Sequence, residues 1–119
     1  MASLIPKLMM PALVWRMRRH RRAYEVSYRG ERIIVLPDVF SPRYDQSSKA
    51  AIAWLPPLAG RSFLEVGCGC GIVSLFAARA GARLIVATDI SATAARNTKL
   101  NLDAHGIGNA LVLQADLLD

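Results

Sequence analysis

An α/β fold built on a parallel sheet is what this sequence predicts, and three observations predict it. From Arg61 onward the pattern alternates strand, helix, strand, helix, strand, over 62–66, 72–80, 83–88, 92–104 and 110–115. Such alternation implies parallel strands joined by right-handed crossovers. An apolar run, Phe63 to Val66, feeds a loop with glycine at every second position, Gly67, Gly69 and Gly71. Eighteen residues after Gly71, Asp89 closes the next apolar run, Leu84 to Ala87. A strand, a tight glycine loop and a helix N-terminus let backbone approach a nucleotide closely, with the later acid placed to hydrogen-bond ribose hydroxyls. The expected architecture is a partial doubly wound sheet of strand order three-two-one, preceded by a hairpin and a short basic helix.

The elements follow in order. At 119 residues the chain accommodates one domain, and 53% hydrophobic with 20% charged residues is a globular composition. Residues 1–23 form a basic segment set apart from 24–119. Lys7, Arg16, Arg18, Arg19, Arg21 and Arg22, with no acid among them, account for the whole net charge of +6. The remainder balances, nine basic against nine acidic side chains. The apolar part of this segment is too short to span a bilayer, and Pro6 and Pro11 interrupt any long helix. Its charges follow the apolar run, the reverse of a secretory signal. A helix is expected over 12–22, packing Leu13, Val14 and Met17 on the body. Phosphate-backbone binding by the Arg cluster and a targeting or membrane-surface role stay open beside it.

Residues 24–36 alternate apolar and polar on both sides of Arg29-Gly30, a hairpin signal. Pro37 and Pro42 break the pattern into a loop. Ser47 to Leu55 reads as a helix with Ala50, Ala51 and Trp54 on one face, stopped by Pro56-Pro57. Cys68 and Cys70 are the only cysteines and fill the variable positions of the glycine loop. A disulfide between residues two apart would be strained, and no Cys/His cluster completes a metal site. They are expected to be small side chains packed beneath the loop, in a reducing, cytoplasmic compartment.

The spacing of the glycines selects the ligand. A dinucleotide loop wants G-x-G-x-x-G, and Ile72 stands where its last glycine would be. The loop instead reads Glu65-x-Gly67-x-Gly69-x-Gly71. A carboxylate at that strand end repels a pyrophosphate but suits a ligand bearing an ammonium group. S-adenosylmethionine, with an ammonium and a positive sulfonium, meets that requirement.

Those residues carry a family resemblance. E-V-G-C-G-C-G, ending at Gly71, resembles the first motif of the class I S-adenosylmethionine-dependent methyltransferases, and V-A-T-D-I, around Asp89, resembles their second. Pro42, Arg43 and Asp45 match the P-R-x-[DE]-[ST] segment of the members that modify release-factor glutamines and base amines, with Gln46 replacing the hydroxyl residue. In that family the segment lies over the methionine end of the cofactor. The run from Ala94 to Gly106 is similar to the family's helix after the second strand, where Asn97 and Asn101 are expected to make local hydrogen bonds. The acidic loop after the third strand makes Asp116 the candidate for the adenine amino group, while Asp119 should be solvated. The family's reaction-centre tetrapeptide, [ND]-P-P-[YF], does not occur in the sequence.

The resemblance therefore implies the N-terminal part of a Rossmann-like class I methyltransferase fold, about three of seven strands, with S-adenosylmethionine as cofactor. It implies methyl transfer to nitrogen on a protein glutamine or a nucleic-acid base. Glu65, Gly67, Gly69 and Gly71 are expected at the methionine and ribose end, Asp45 over that end, Asp89 on ribose hydroxyls and Asp116 on adenine. No catalytic residue is identified. A sheet ending with these strands would leave Phe63 to Val66 as an open edge prone to self-association. Alternatives stay open: a non-catalytic cofactor-binding fragment or half of a split enzyme, an Arg-rich nucleic-acid-binding module, and a nicotinamide-dependent dehydrogenase.

Overall fold

A computed structural model describes residues 22–116. The basic helix expected over 12–22 lies, apart from Arg22, outside the described residues, as does Asp119.

The chain first forms an antiparallel hairpin, β1 (Tyr24–Tyr28) and β2 (Glu31–Val35), with Tyr24 opposite Val35 and Tyr28 opposite Glu31. Its two-residue turn, Arg29 and Gly30, has φ of 49° and 81°, the left-handed pair whose twist matches the strands. A 3-10 turn over Pro42–Tyr44 leads into helix α1 (Gln46–Ala53). Three parallel strands follow: β3 (Ser62–Val66), β4 (Leu84–Asp89) and β5 (Ala110–Gln114), in the order β3-β4-β5. They are linked by helices α2 (Ile72–Arg79) and α3 (Ala92–Ala104). This is the three-two-one order expected of the sequence, with boundaries within a residue or two.

Both crossover helices pack on one face of this sheet. Register places Phe63, Ile85 and Ala110 in one row and Glu65, Ala87 and Val112 in the next. Phe63, Ile85, Ala110 and Val112 from these rows meet Leu75, Ala77 and Leu102. The hairpin joins the same core through Ile33 and Val35, both wholly buried. The opposite face carries Leu64, Val86 and Leu111 in one row and Val66, Thr88 and Leu113 in another. Among these Leu64 is 60% exposed, Val66 62% and Leu111 51%. Parallel sheets are normally covered on both faces; among the described residues this one is covered on one, and β3 pairs only with β4.

Two expectations need correction. The face of α1 bearing Ala50, Ala51 and Trp54 points outward, with Trp54 85% exposed, and Ile52 is the residue that enters the core. In a two-turn helix one large anchor decides the orientation, and Ile52 finds the α2 side of the core. Asn97 and Asn101 do not make local bonds. Asn97 accepts from the Leu36 N–H (2.9 Å) and donates to the Ile34 carbonyl (2.8 Å). Asn101 accepts from the Ile34 N–H (2.8 Å) and donates to the carbonyls of Ile34 (2.8 Å) and Cys70 (2.7 Å). The two amides satisfy the free edge of β2 as a neighbouring strand would, fastening the hairpin to α3.

Candidate functional site: a carboxylate-lined cleft at the strand ends

The glycine loop leaves β3 at its C-terminal end and is tied down from several sides. The N–H groups of Gly67 and Cys68 both donate to the Thr88 carbonyl, at 2.8 and 2.9 Å. The Gly69 N–H donates to Asp89 Oδ2 (3.0 Å), and its carbonyl accepts from the Thr98 hydroxyl (2.9 Å). With Asn101 on the Cys70 carbonyl, the loop is held by β4 and α3 before any ligand arrives.

The three glycines have different jobs. All sit in the left-handed region, at φ of 75°, 56° and 90°. A Cβ on Gly71 would stand 2.9 Å from the Thr98 Cα, so this glycine serves the close packing of α2 on α3. A Cβ on Gly67 or Gly69 would meet no protein atom within 4 Å. Their bareness opens space, and that space belongs to a cleft.

The cleft encloses about 210 Å³. Gly67, Cys68, Gly69 and Cys70 form one wall with Ile72 and Asp89; Phe40, Pro42, Asp45 and Ser48 form the other. The structure thus brings together four of the residues singled out in the sequence, Asp45, Gly67, Gly69 and Asp89. Glu65 lies behind the loop wall, Gly71 is turned to Thr98, and Asp116 sits beyond the end of β5, outside the lining. The Ala115 N–H donates to the Asp89 carbonyl at 2.9 Å, which keeps the ends of β4 and β5 together next to Asp116.

The electrostatics are one-sided: among the described residues, two carboxylates line the cleft and no cationic side chain does. Asp89 accepts from the Gly69 N–H on one oxygen and the Ser91 N–H on the other (2.9 Å). Each carboxylate oxygen has a second lone pair, leaving acceptor capacity for a ligand. Asp45 caps α1: Oδ1 accepts from the N–H groups of Ser47 and Ser48, both 3.1 Å, and from the Ser47 hydroxyl (2.6 Å). The Ser48 hydroxyl donates to Oδ2. The serines therefore donate to the cap that Asp45 forms. Burial pushes the Asp45 carboxyl up, but the bonds from Ser47 and Ser48 together outweigh it and hold the group below its ordinary value.

Glu65 is the counterexample. Its side chain lies on the helix side of β3 and accepts from the Ser74 hydroxyl at 2.6 Å. Burial raises its carboxyl to about 7, Ser74 opposes the rise, and the negative charges of Asp45 and Asp89 add to it. Burial likewise pushes the Cys68 thiol to about 11 and Cys70 to about 12. Both are free, buried and uncharged at neutral pH, as small packing residues should be.

Sequence reasoning missed Ser74, Phe40 and the two asparagines as parts of this site. Ser74 was detectable: it is the one polar residue in the apolar start of α2 and is wholly buried. Phe40 carries no such signal.

Comparison with known proteins agrees with this geometry. The family model described as the methyltransferase small domain matches residues 30–119. Ribosomal RNA small subunit methyltransferase C of Hahella chejuensis (strain KCTC 2396) is 32% identical over 91 residues, covering 72% of this chain and 27% of its own length. Ribosomal protein L11 methyltransferase of Alkaliphilus metalliredigens (strain QYMF) is 39% identical over 56 residues, 46% of this chain and 18% of its own. Among solved structures, the T. Thermophilus 16S rRNA N2 G1207 methyltransferase in complex with AdoMet and guanosine aligns with a TM-score of 0.65 at 28% identity, over 80% of this chain and 28% of that one. The chain spans between 18% and 28% of the length of these relatives. The family match runs through the hairpin's second strand, the cleft and all three parallel strands, and on it the chain belongs to the methyltransferase small domain family.

Proposed function

We propose that the chain is the S-adenosylmethionine-binding part of a methyltransferase that modifies nitrogen on a nucleic-acid base or a protein glutamine. The observation that carries this reading is the cleft itself: two bare glycines at the end of β3, two lining carboxylates, Glu65 behind them and, among the described residues, no cation. A pyrophosphate would be repelled there, whereas an ammonium and a sulfonium are attracted. Gly67 and Gly69 fit the group, since the space a Cβ would fill is free on both. When bound, the cofactor supplies a methyl group activated by its positive sulfur.

This chain's own residues bind and orient. Asp89 offers its remaining acceptors to ribose hydroxyls, while Asp45 holds negative charge near the cationic end and Glu65, which keeps its proton up to about 7, stands behind the loop. Gly71 keeps the loop seated on α3. A volume of about 210 Å³ is below the roughly 300–1,000 Å³ of a whole ligand site. The adenine is therefore assigned to the side of Asp116, beyond the lined part. No residue is assigned to the methyl acceptor. Similarity to enzymes named for ribosomal RNA and ribosomal protein supports an acceptor of that kind. The same reading places the protein in the cytoplasm and gives the basic run Arg16, Arg18, Arg19, Arg21 and Arg22 to RNA contact. It also gives the open sheet face, Leu64, Val66, Leu111 and Leu113, to association with a second protein surface. Sedimentation at micromolar concentration should show the 119-residue chain above monomer mass, and a clean monomer would contradict that part.

The test of the cofactor assignment is calorimetry with S-adenosylmethionine. A charge-assisted bond to a ribose hydroxyl contributes about 1.5–3 kcal/mol. Asp89→Ala should therefore weaken binding about ten- to a hundredfold. Asp89→Asn retains one acceptor for the loop and separates the ligand contact from loop support. Unchanged affinity in both variants would remove Asp89 from the site.

A further inference from the structure

On the other side of the Pro42–Tyr44 turn from the cofactor cleft lies a second groove, about 300 Å³, between β1 and the start of α1. Glu25, Ser27, Tyr28, Pro42, Arg43 and Lys49 line it. Pro42 lines both the groove and the cleft, so the two are neighbours across one turn.

Three cations are held around the groove by aromatic faces. The Arg43 guanidinium lies 5.5 Å from the centroid of the Tyr24 ring. Lys49 Nζ lies 5.8 Å from the Tyr28 centroid, and the Arg29 guanidinium 5.4 Å from the same ring. A ring face positions a cation without neutralising it. Among the described residues neither Arg43 nor Lys49 makes an ion pair; the groove's carboxylate, Glu25, lies 3.8 Å from Arg32. Tyr24 and Tyr28 are four residues apart on one strand, roughly 13 Å, so cations stand at both ends of the groove. Arg22 precedes β1 by two residues, a further basic side chain in the sequence next to this strand.

We infer that this groove is a binding track for the phosphate backbone of a single-stranded nucleic acid, delivering the methyl acceptor to the adjoining cleft. The inference rests on the methyltransferase reading and narrows its acceptor to nucleic acid. Cations facing rings at both ends of β1 match a polymer with one charge per backbone unit, where an acidic peptide needs several carboxylates in register. Tyrosine faces beneath the cations add the aromatic surface that single strands use.

The test is fluorescence anisotropy of a labelled single-stranded RNA with the full 119-residue chain, beside calorimetry with S-adenosylmethionine. The double variant R43E/K49E should bind RNA at least about tenfold more weakly, with a log–log salt slope smaller by about 1.4 for two lost phosphate contacts. The milder Arg43→Gln should show a smaller loss in the same direction, and Lys49→Glu, which leaves the Pro42–Asp45 segment intact, should weaken RNA binding with cofactor affinity unchanged. RNA affinity and salt slope at wild-type values in these variants would overturn the inference, even with cofactor binding intact. A poly-glutamate peptide that displaces RNA at equal charge concentration would overturn it in favour of an acidic protein partner. RNA binding that depends on Arg43 and Lys49, in a chain that never takes up S-adenosylmethionine, would support the groove and defeat the cofactor assignment instead.

Discussion

The two walls of the cofactor cleft are built by opposite strategies. The loop wall is fastened from afar: Gly69 to Asp89 across 20 residues of sequence, Gly69 to Thr98 across 29, and Cys70 to Asn101 across 31. Across the cleft, Asp45 draws every hydrogen bond recorded for its side chain from Ser47 and Ser48, two and three residues on. The first wall exists only once β3, β4 and α3 have assembled. The second is a helix cap that a short peptide could form. A wall held by tertiary bonds thus faces one held by local bonds across the same cleft.

The strongest way to break this contrast is Gly71→Ala. The new Cβ would meet backbone of α3 at 2.9 Å, and φ of 90° disfavours any L side chain. Left-handed strain of about 1–2 kcal/mol and overpacking of about 1–3 kcal/mol add to roughly 2–5 kcal/mol. Thermal unfolding should fall by about 4–8 °C per kcal/mol; a melting temperature at the wild-type value would show that the α2–α3 contact is looser than described. Asn101→Leu comes next. It strands the Ile34 N–H and the Cys70 carbonyl, at about 1–3 kcal/mol per buried group. The hairpin should loosen from α3, so trypsin should cut at Arg29 and Arg32 faster than in the parent chain. Equal cutting rates would remove Asn101 as the tie between hairpin and loop.

Asp45→Ala should cost less, about 0.5–2 kcal/mol for a lost helix cap. Its effect should stay local: hydrogen exchange should speed in α1 and remain unchanged in β3 and α2. Protection lost in β3 as well would mean that the walls are coupled. A further expected effect is one of sign. Glu65 holds its proton to about 7 in the fold against an ordinary 4.5. Its contribution is full below 4.5 and is lost as pH rises toward 7. Asp45, held below its ordinary 3.8, contributes above that value and loses its contribution as pH falls through the depressed one. Glu65→Gln should therefore gain melting temperature over the parent at pH 8 and little at pH 4.5. A difference constant across that range would remove burial as the cause of the Glu65 shift.

The same contrast explains what the sequence could reveal. β3, α2 and α3 are legible because each carries an apolar period between clear breaks. The tie between Ile34 and Asn101 spans 67 residues, and no local pattern encodes it. Three glycines at equal spacing look alike on paper; only the position of Thr98 shows that Gly71 serves packing while Gly67 and Gly69 open space. Trp54 misled for a related reason, since a large apolar side chain in a two-turn helix gives no sign of which side the core will take.

The central claim is that the bare loop wall admits S-adenosylmethionine, and calorimetric titration of that cofactor into Gly69→Val tests it most directly. Valine at this glycine meets no protein atom at its Cβ, so the fold should lose only the strain of a left-handed L residue, about 1–2 kcal/mol. The account predicts a folded variant that gives no binding heat where the parent chain binds. A folded Gly69→Val chain that takes up the cofactor with the parent's affinity would contradict it.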